Sequence, residues 1–406
     1  MSKPIIINNK KISFNKKINI EGDKSLSIRW ALLASQATGI SRAYKILRSE
    51  DVLSTLDCLK KLGVKIKLKK EYCEILGKGL NSYNYKNNIT LDVGNSGTLG
   101  RLLLGLLVHS KKKIKLIGDK SLSKRDFSRV IQPLKKFGAR FYSNNKSSLP
   151  VSIMGSKSTK PINYFEYRGS AQCKSSVMLA ALNTPGETTI KAKKSRDHTE
   201  LLFKHLKVPI KIKKTKKFDF IKVEGIKKIL PLRYKVPADI SSTAFFIVLT
   251  ALSKNSTLLI KNVNINPSRI GVITILKKMG IKIFFRNKKN YKGEMVADIF
   301  VKTSKKLNSI NCPSYLNSSA IDEFLIIFLV AAKATGISYF RNLSELNQKE
   351  SPRLEWGSKI LNMMGVKTKL TSHSIKIYGN PNLEITNLIK IKNYLKDHRI
   401  FMMSTI

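Results

Sequence analysis

Five stretches of the chain share one pattern of polar and apolar positions. Each opens on small or polar residues, runs into a helix-length segment with almost no polar face, and ends in a turn before a strand. They are "KSLSIRWALLASQATGIS" from Lys24, "SGTLGRLLLGLLVHSKKKI" from Ser96, "SAQCKSSVMLAALNTPGETTI" from Ser170, "ISSTAFFIVLTALSKNSTLLI" from Ile240 and "AIDEFLIIFLVAAKATGISYF" from Ala320. A helix that is apolar on nearly every side must be buried on nearly every side. After each comes a helix of ordinary amphipathic pattern and a basic strand: "EDVLSTLDCLKKLGVKIKL", "FSRVIQPLKKFGARF", "HTELLFKHLKVPIKI", "PSRIGVITILKKMGIKIFF" and "PRLEWGSKILNMMGVKTKL". Four of these close on Gly63, Gly138, Gly280 and Gly365, the residue type favoured just past a helix C-terminus. The third has Val208 and Pro209 there.

The spacing turns this pattern into an architecture. Starts at residues 24, 96, 170, 240 and 320 define a strand–helix–strand–helix–strand unit of 70 to 80 residues. That is too long for a solenoid repeat and too short for a full domain. Asp397, an N-cap residue type followed by an apolar run, stands where a sixth buried helix is due. The predicted fold class is therefore α/β, with six repeats forming two domains of three. The chain stops at "DHRIFMMSTI", so the sixth repeat reads as truncated and the chain as one cut short.

Composition narrows the class. Apolar content of 42% and charged content of 25% suit a soluble globular protein. The longest apolar run, Phe324 to Ala332, is about half a membrane span. The N-terminal "MSKPIIINNKKISFNKK" has neither a signal-peptide core nor transit-peptide character, so a cytoplasmic protein without membrane association is expected. Cys58, Cys73, Cys173 and Cys312 lie far apart with no metal spacing, as for free thiols in a reducing compartment. The net charge of +50 first suggests a nucleic-acid binder. The lysines, however, spread along the whole length among Asn and Ile, as at a solvated surface, and the Lys runs lack interleaved aromatic residues. No specific nucleic-acid partner is expected.

Candidate chemistry sits at the starts of the buried helices. "GDKSLSIR" puts Lys24, Ser25 and Arg29 there; "GNSGTLGR" puts Asn95, Gly97, Thr98 and Arg101; "RGSAQCK" puts Ser170, Ala171, Gln172 and Lys174. Exposed N–H groups and the positive end of the helix dipole suit an anion, and Ser or Asn alone could be simple caps. Capping gives no reason to add cations at that end. Asp322 and Glu323 open the fifth buried helix, where a carboxylate beside cations is a candidate proton acceptor. In "QKESPR", Ser351 and Pro352 read as N-cap and first helical residue, with Lys349, Glu350 and Arg353 surplus to that task. Arg125 lies in the loop "SKRDFSR".

The ordered series "GDKSLSIR", "GNSGT", "SAQ", "SRDHTE", "DISS.AFF", "NPSR.G...L..MG", "IDE", "KES.R" and "DHR" resembles the 5-enolpyruvylshikimate-3-phosphate synthase family from about residue 20 to residue 399. The resemblance implies an inside-out α/β fold whose chain crosses twice between two domains, residues 21–237 and residues 1–20 with 238–406, with the active site in the cleft between them. It implies transfer of the enolpyruvyl group of phosphoenolpyruvate to the 5-hydroxyl of shikimate 3-phosphate with loss of phosphate, by a monomer needing no metal or organic cofactor. Lys24, Asn95, Gly97, Arg101, Arg125, Gln172, Lys349, Arg353 and Arg399 match positions around phosphoenolpyruvate. Lys24, Ser25, Arg29, Ser170, Ala171, Gln172, Asp322 and Lys349 match positions around shikimate 3-phosphate. Asp322 is implied as acceptor of the hydroxyl proton and Glu350 as donor to the methylene carbon, with Lys24 and Lys349 as catalytic cations. Three departures stand out: Pro352 where the family usually has Asp, Asn347 where an Arg is common, and an ending at "DHR" where members continue for several tens of residues and usually supply another active-site Lys. The related transferase acting on UDP-N-acetylglucosamine is the nearest rival. It usually carries a reactive Cys in the loop matching residues 118–125, which has none, while Cys173 falls inside a buried helix.

Overall fold

The apolar segments fold as the helices Lys24–Gln36, Gly97–Leu106, Ala171–Ala181, Ile240–Leu252 and Phe324–Ala332 in a computed structural model. It describes residues 6–7, 13–143, 148–385, 389–392 and 397–406. Every residue from Leu26 to Gln36 is buried, as is all of Phe324–Ala332. A fully buried Leu, Ile or Phe side chain contributes roughly 1.5–3 kcal/mol, so these helices carry much of the stability. The chain divides into two compact units, one of residues 21–237 with 290–294, the other of residues 1–20, 238–289 and 295–406. Each has its own continuous apolar core.

Among the described residues the strands form five small sheets, four of four strands and one of three. In the four-stranded sheets one edge strand runs parallel to its neighbour and the rest is antiparallel. Two of the parallel edges come from far along the chain. Asn15–Asn19 precedes helix Lys24–Gln36 yet lies along Thr257–Asn264, whereas Arg233–Lys235 precedes Ile240–Leu252 yet lies along Thr38–Tyr44. The first strands of two repeats are thus exchanged.

The structure corrects the predicted repeat in two respects. Each amphipathic helix is followed by two antiparallel strands, not one, as in Lys65–Leu68 with Tyr72–Lys78 and Ile210–Lys214 with Phe218–Glu224. A single basic strand would leave the middle of its sheet unpaired; the returning strand fills it. Gly63, Gly138, Gly280 and Gly365 all have positive φ, as their helix-ending position requires. In the third repeat that left-handed turn falls on Lys207, φ 58°, one residue before Val208.

The exposed faces of the sheets show where many lysines go. Lys191 Nζ lies 5.1, 4.8 and 5.9 Å from the ring centres of Phe165, Phe218 and Phe220 on adjoining strands. Aromatic and basic residues that are not interleaved in sequence are interleaved across strands, each such contact stabilising by about 0.5–1 kcal/mol.

Helices Gly97–Leu106 and Ala171–Ala181 pack closely enough that a Cβ on Gly105 would lie 2.2 Å from the Ser176 carbonyl oxygen. Gly105→Ala is expected to lower the unfolding free energy by about 1–3 kcal/mol. Urea titration checks this; an unchanged midpoint would contradict the close approach.

Candidate active site

In the unit of residues 21–237, the helix starts carry two linked groups of polar side chains. Asp23 caps Lys24–Gln36 by accepting from the Leu26 amide at 2.9 Å. This sets Lys24 at the helix mouth, where its Nζ lies 2.7 Å from Asp51. One turn on, Arg29 is buried and held on three sides. It donates to Thr199 Oγ1 at 2.9 Å, to Ser175 Oγ at 3.2 Å and to the Ser25 carbonyl at 3.2 Å. Burial pushes the guanidinium down to about 10 against the opposing pull of Glu200 and Asp23, so it stays charged at neutral pH.

The second group joins two helices. Arg101 donates to Gln172 Oε1 at 2.8 Å, and Gln172 donates to Thr98 Oγ1 at 3.0 Å. Arg125 donates to Asn95 Oδ1 at 3.1 Å. Burial, with Arg125 and Arg129 nearby, lowers Arg101, opposed by Cys173. Gly97 makes room for both cations: a Cβ there would lie 2.8 Å from Arg101 Nη1 and 3.2 Å from Arg125 Nη1. The turn before Ser170 and Ala171 is fixed by Glu166, whose carboxylate accepts from the Gly169 and Ser170 amides at 2.5 and 2.8 Å. Ser170 then caps its helix through the Cys173 amide. The Cys173 thiol is pushed up by burial and is no ready nucleophile. A cavity of about 790 Å³ on this unit, beside Tyr44, Arg48, Tyr72 and Lys235, contains none of the predicted site residues.

In the other unit the centre is Arg353, 1% exposed. Its Nε lies 2.9 Å from Asp397 Oδ2, its Nη1 3.3 Å from Asp322 Oδ1, and its Nη2 bonds Glu350. Burial alone would lower this guanidinium; the three carboxylates outweigh it and hold it above its ordinary value. Lys349 Nζ lies 3.6 Å from Asp322 Oδ1, and Arg399 donates to the Asp322 carbonyl at 2.8 Å. Asp397 caps the helix His398–Ser404 by accepting from the Arg399 amide at 2.9 Å. Burial raises the Asp397 carboxyl, but Arg353 outweighs it and holds the group below the ordinary carboxylate value.

A family model described as EPSP synthase (3-phosphoshikimate 1-carboxyvinyltransferase) matches residues 9–406. The chain belongs to the EPSP synthase family. It is 40% identical over 390 residues to the 3-phosphoshikimate 1-carboxyvinyltransferase of Ruthia magnifica, covering 96% of this chain and 87% of that one. It is 39% identical over 407 residues to that of Vesicomyosocius okutanii, covering 100% and 91%. Its fold matches a solved EPSP synthase of Acinetobacter baumannii with TM-score 0.83 and 34% identity, over 97% and 89% of the two chains. Both of these sequence relatives are named for the shikimate-phosphate reaction, not for transfer to UDP-N-acetylglucosamine.

Pro352 and Asn347, the two positions expected to depart from the family pattern, have local structural roles. The helix begins at Arg353, one residue later than expected, with Pro352 at the N-cap position. Ser351 donates to Asp397 at 2.8 Å instead of capping, and Asn347 takes the capping role by accepting from the Leu354 amide at 3.0 Å. Sequence reasoning missed the supports: Thr199, Ser175, Glu166 and Asp397 as a partner of Arg353. "SRDHTE" and "DHR" marked two of them as motif members but not their partners. Glu166 carried no signal beyond preceding a Gly-Ser turn. Among the described residues no group of His, Cys, Asp and Glu could hold a metal ion, and no helix is long and apolar enough to cross a membrane.

Asp397→Asn is expected to cost about 3–5 kcal/mol, because Arg353 loses a buried partner. The folded Asp397 titrates below its unfolded value, so its contribution is full above about pH 4 and is lost as pH falls through the depressed folded value. The stability gap between parent and variant should therefore shrink on acidification. Denaturant melts across pH check it; a gap that widens in acid would be the wrong sign.

Proposed function

We propose that the chain transfers the enolpyruvyl group of phosphoenolpyruvate to the 5-hydroxyl of shikimate 3-phosphate, releasing phosphate, as a step of the shikimate pathway toward the aromatic amino acids. Membership of the EPSP synthase family over residues 9–406 carries this reading, and the placement of charge supports it. Two phosphates and two carboxylates bring roughly five to six negative charges. Seven cations matched to ligand positions are available: Lys24, Arg29, Arg101 and Arg125 in one unit, Lys349, Arg353 and Arg399 in the other. On this reading the two sets act on one substrate pair, and six repeats make two domains of three.

The roles follow from the family resemblance, and contacts within each unit support them. Arg29, with Ser25, Ser170, Ala171 and Gln172, binds shikimate 3-phosphate. Asn95, Gly97, Arg101 and Arg125 bind phosphoenolpyruvate, as do Lys349, Arg353 and Arg399. Gln172 reaches both ligands, since its amide already pairs with Arg101. Asp322, beside Lys349 and Arg353, accepts the proton of the attacking hydroxyl. Glu350 delivers a proton to the methylene carbon, making the adjacent carbon an oxocarbenium-like centre. Attack gives a tetrahedral adduct that collapses with loss of phosphate. The cations are fixed before substrate arrives, so little reorganisation opposes charge development.

The deciding assay measures phosphate release from phosphoenolpyruvate, expected only when shikimate 3-phosphate is present; release without it would remove the reading. Asp322→Asn should lower kcat by about 10²–10⁴ while calorimetry still registers both ligands. Gly97→Ala should raise KM for phosphoenolpyruvate about ten- to a hundredfold, since the added methyl meets two of its arginines. KM for shikimate 3-phosphate should stay within twofold or so. Equal effects on both would place Gly97 elsewhere.

A further inference from the structure

Glu323 stands beside the proposed proton acceptor and is fully buried. It occupies the N-cap position of Phe324–Ala332, where an acid ordinarily accepts hydrogen bonds from the first-turn amides. Glu323 makes no such bond. Its Oε1 instead accepts from the Ser241 hydroxyl, and Oε2 is buried without a hydrogen-bond partner. The carboxylate lies between two arginines, with Arg269 Nη2 at 4.0 Å and Arg399 Nη1 at 3.8 Å. Arg269 is 2% exposed and donates to Ser241 Oγ at 2.8 Å, so Ser241 links it to Glu323. Asp239, the cap of Ile240–Leu252, lies 3.6 Å from the same Arg269 nitrogen. Charges therefore alternate in sign along Asp239, Arg269, Glu323, Arg399 and Asp322, all within one compact unit.

A carboxylate kept only for fold stability would satisfy both oxygens, because a buried unpaired oxygen is costly. This one forgoes its cap and leaves an oxygen unmatched while sitting against Arg399. From this we infer that Glu323 is a positioning residue: it holds the Arg399 guanidinium for the phosphate of phosphoenolpyruvate, with Arg269 and Ser241 holding Glu323 in turn. The inference rests on the reading of Arg399 as a phosphoenolpyruvate ligand. Arg399 Nη1 bonds the Asp322 carbonyl while Nη2 lies 3.9 Å from the Asp322 carboxylate. Without Glu323, that carboxylate becomes the nearest counter-charge. Arg399 would then turn toward the proton acceptor and away from the ligand.

The test compares Glu323→Gln, Ser241→Ala, Arg399→Gln and the double variant of Glu323 and Arg399 in steady-state kinetics on the full chain. Glu323→Gln keeps the shape and an oxygen for Ser241 but removes the charge. It should raise KM for phosphoenolpyruvate about tenfold, leaving KM for shikimate 3-phosphate and the melting midpoint nearly unchanged. Ser241→Ala should shift the same constant in the same direction, more weakly, and serves if Glu323→Gln fails to fold. Once Arg399 is changed, the Glu323 substitution should add little. A fall in melting midpoint with an unchanged KM, or fully additive effects, would reduce Glu323 to structural support and overturn the inference. An Arg399→Gln variant with normal KM would instead sink the reading of Arg399 and the inference with it.

Discussion

A cation buried at the start of a helix must be compensated by the fold itself, and this requirement shapes both units. Arg353 shows it most fully: a guanidinium 1% exposed, gripped by Asp322, Glu350 and Asp397. An isolated charge in such a place would be prohibitively costly, and pairing it recovers the cost only when geometry and hydrogen bonding are good. The carboxylates that make Arg353 tolerable include the two to which proton transfer is assigned. On the proposed roles, their chemistry and the stability of this buried charge are thus one arrangement.

The other unit pairs Lys24 with Asp51 but meets Arg29 and Arg101 with neutral acceptors. Arg29 is surrounded by Thr199, Ser175 and the Ser25 carbonyl, and Arg101 by Gln172 and the carbonyls of Gly97 and Asp126. Hydroxyls and amides satisfy the donors without cancelling the charge, which leaves positive potential for an anion. Burial works against the charge of both arginines, as their lowered pKa values record. One unit therefore presents Arg29 and Arg101 dressed in neutral acceptors, the other an arginine interlocked with three carboxylates. That division suits a reaction that must hold anionic substrates and also move protons.

Much of the fold was legible because burial writes a strong signal. "FLIIFLVAA" has no polar face, and all of Phe324–Ala332 is buried. The four closing glycines have the positive φ that their position requires, whereas the third repeat's turn at Lys207 was misplaced by one residue because no Gly marked it. The second strand of each hairpin was missed for a related reason. Strands such as Lys65–Leu68 and Ile210–Lys214 alternate lysine with Ile or Leu, and their half-exposed pattern says little about how many strands follow. The exchange of Asn15–Asn19 and Arg233–Lys235 between sheets left no local mark at all.

The sequence by itself determined the repeat, the buried helices and the residue types at their starts, because periodicity and capping act over a few residues and can be read there. It also brought the motif series into line with one family. Only the tertiary structure decided which partner each charge has. Thr199 reaches Arg29 across 170 residues, Asp397 reaches Arg353 across 44, and Glu323 meets Ser241 across 82. A buried charge is settled by whatever the packed neighbours place within a few ångströms of it. That juxtaposition belongs to the folded chain and not to any stretch of its sequence.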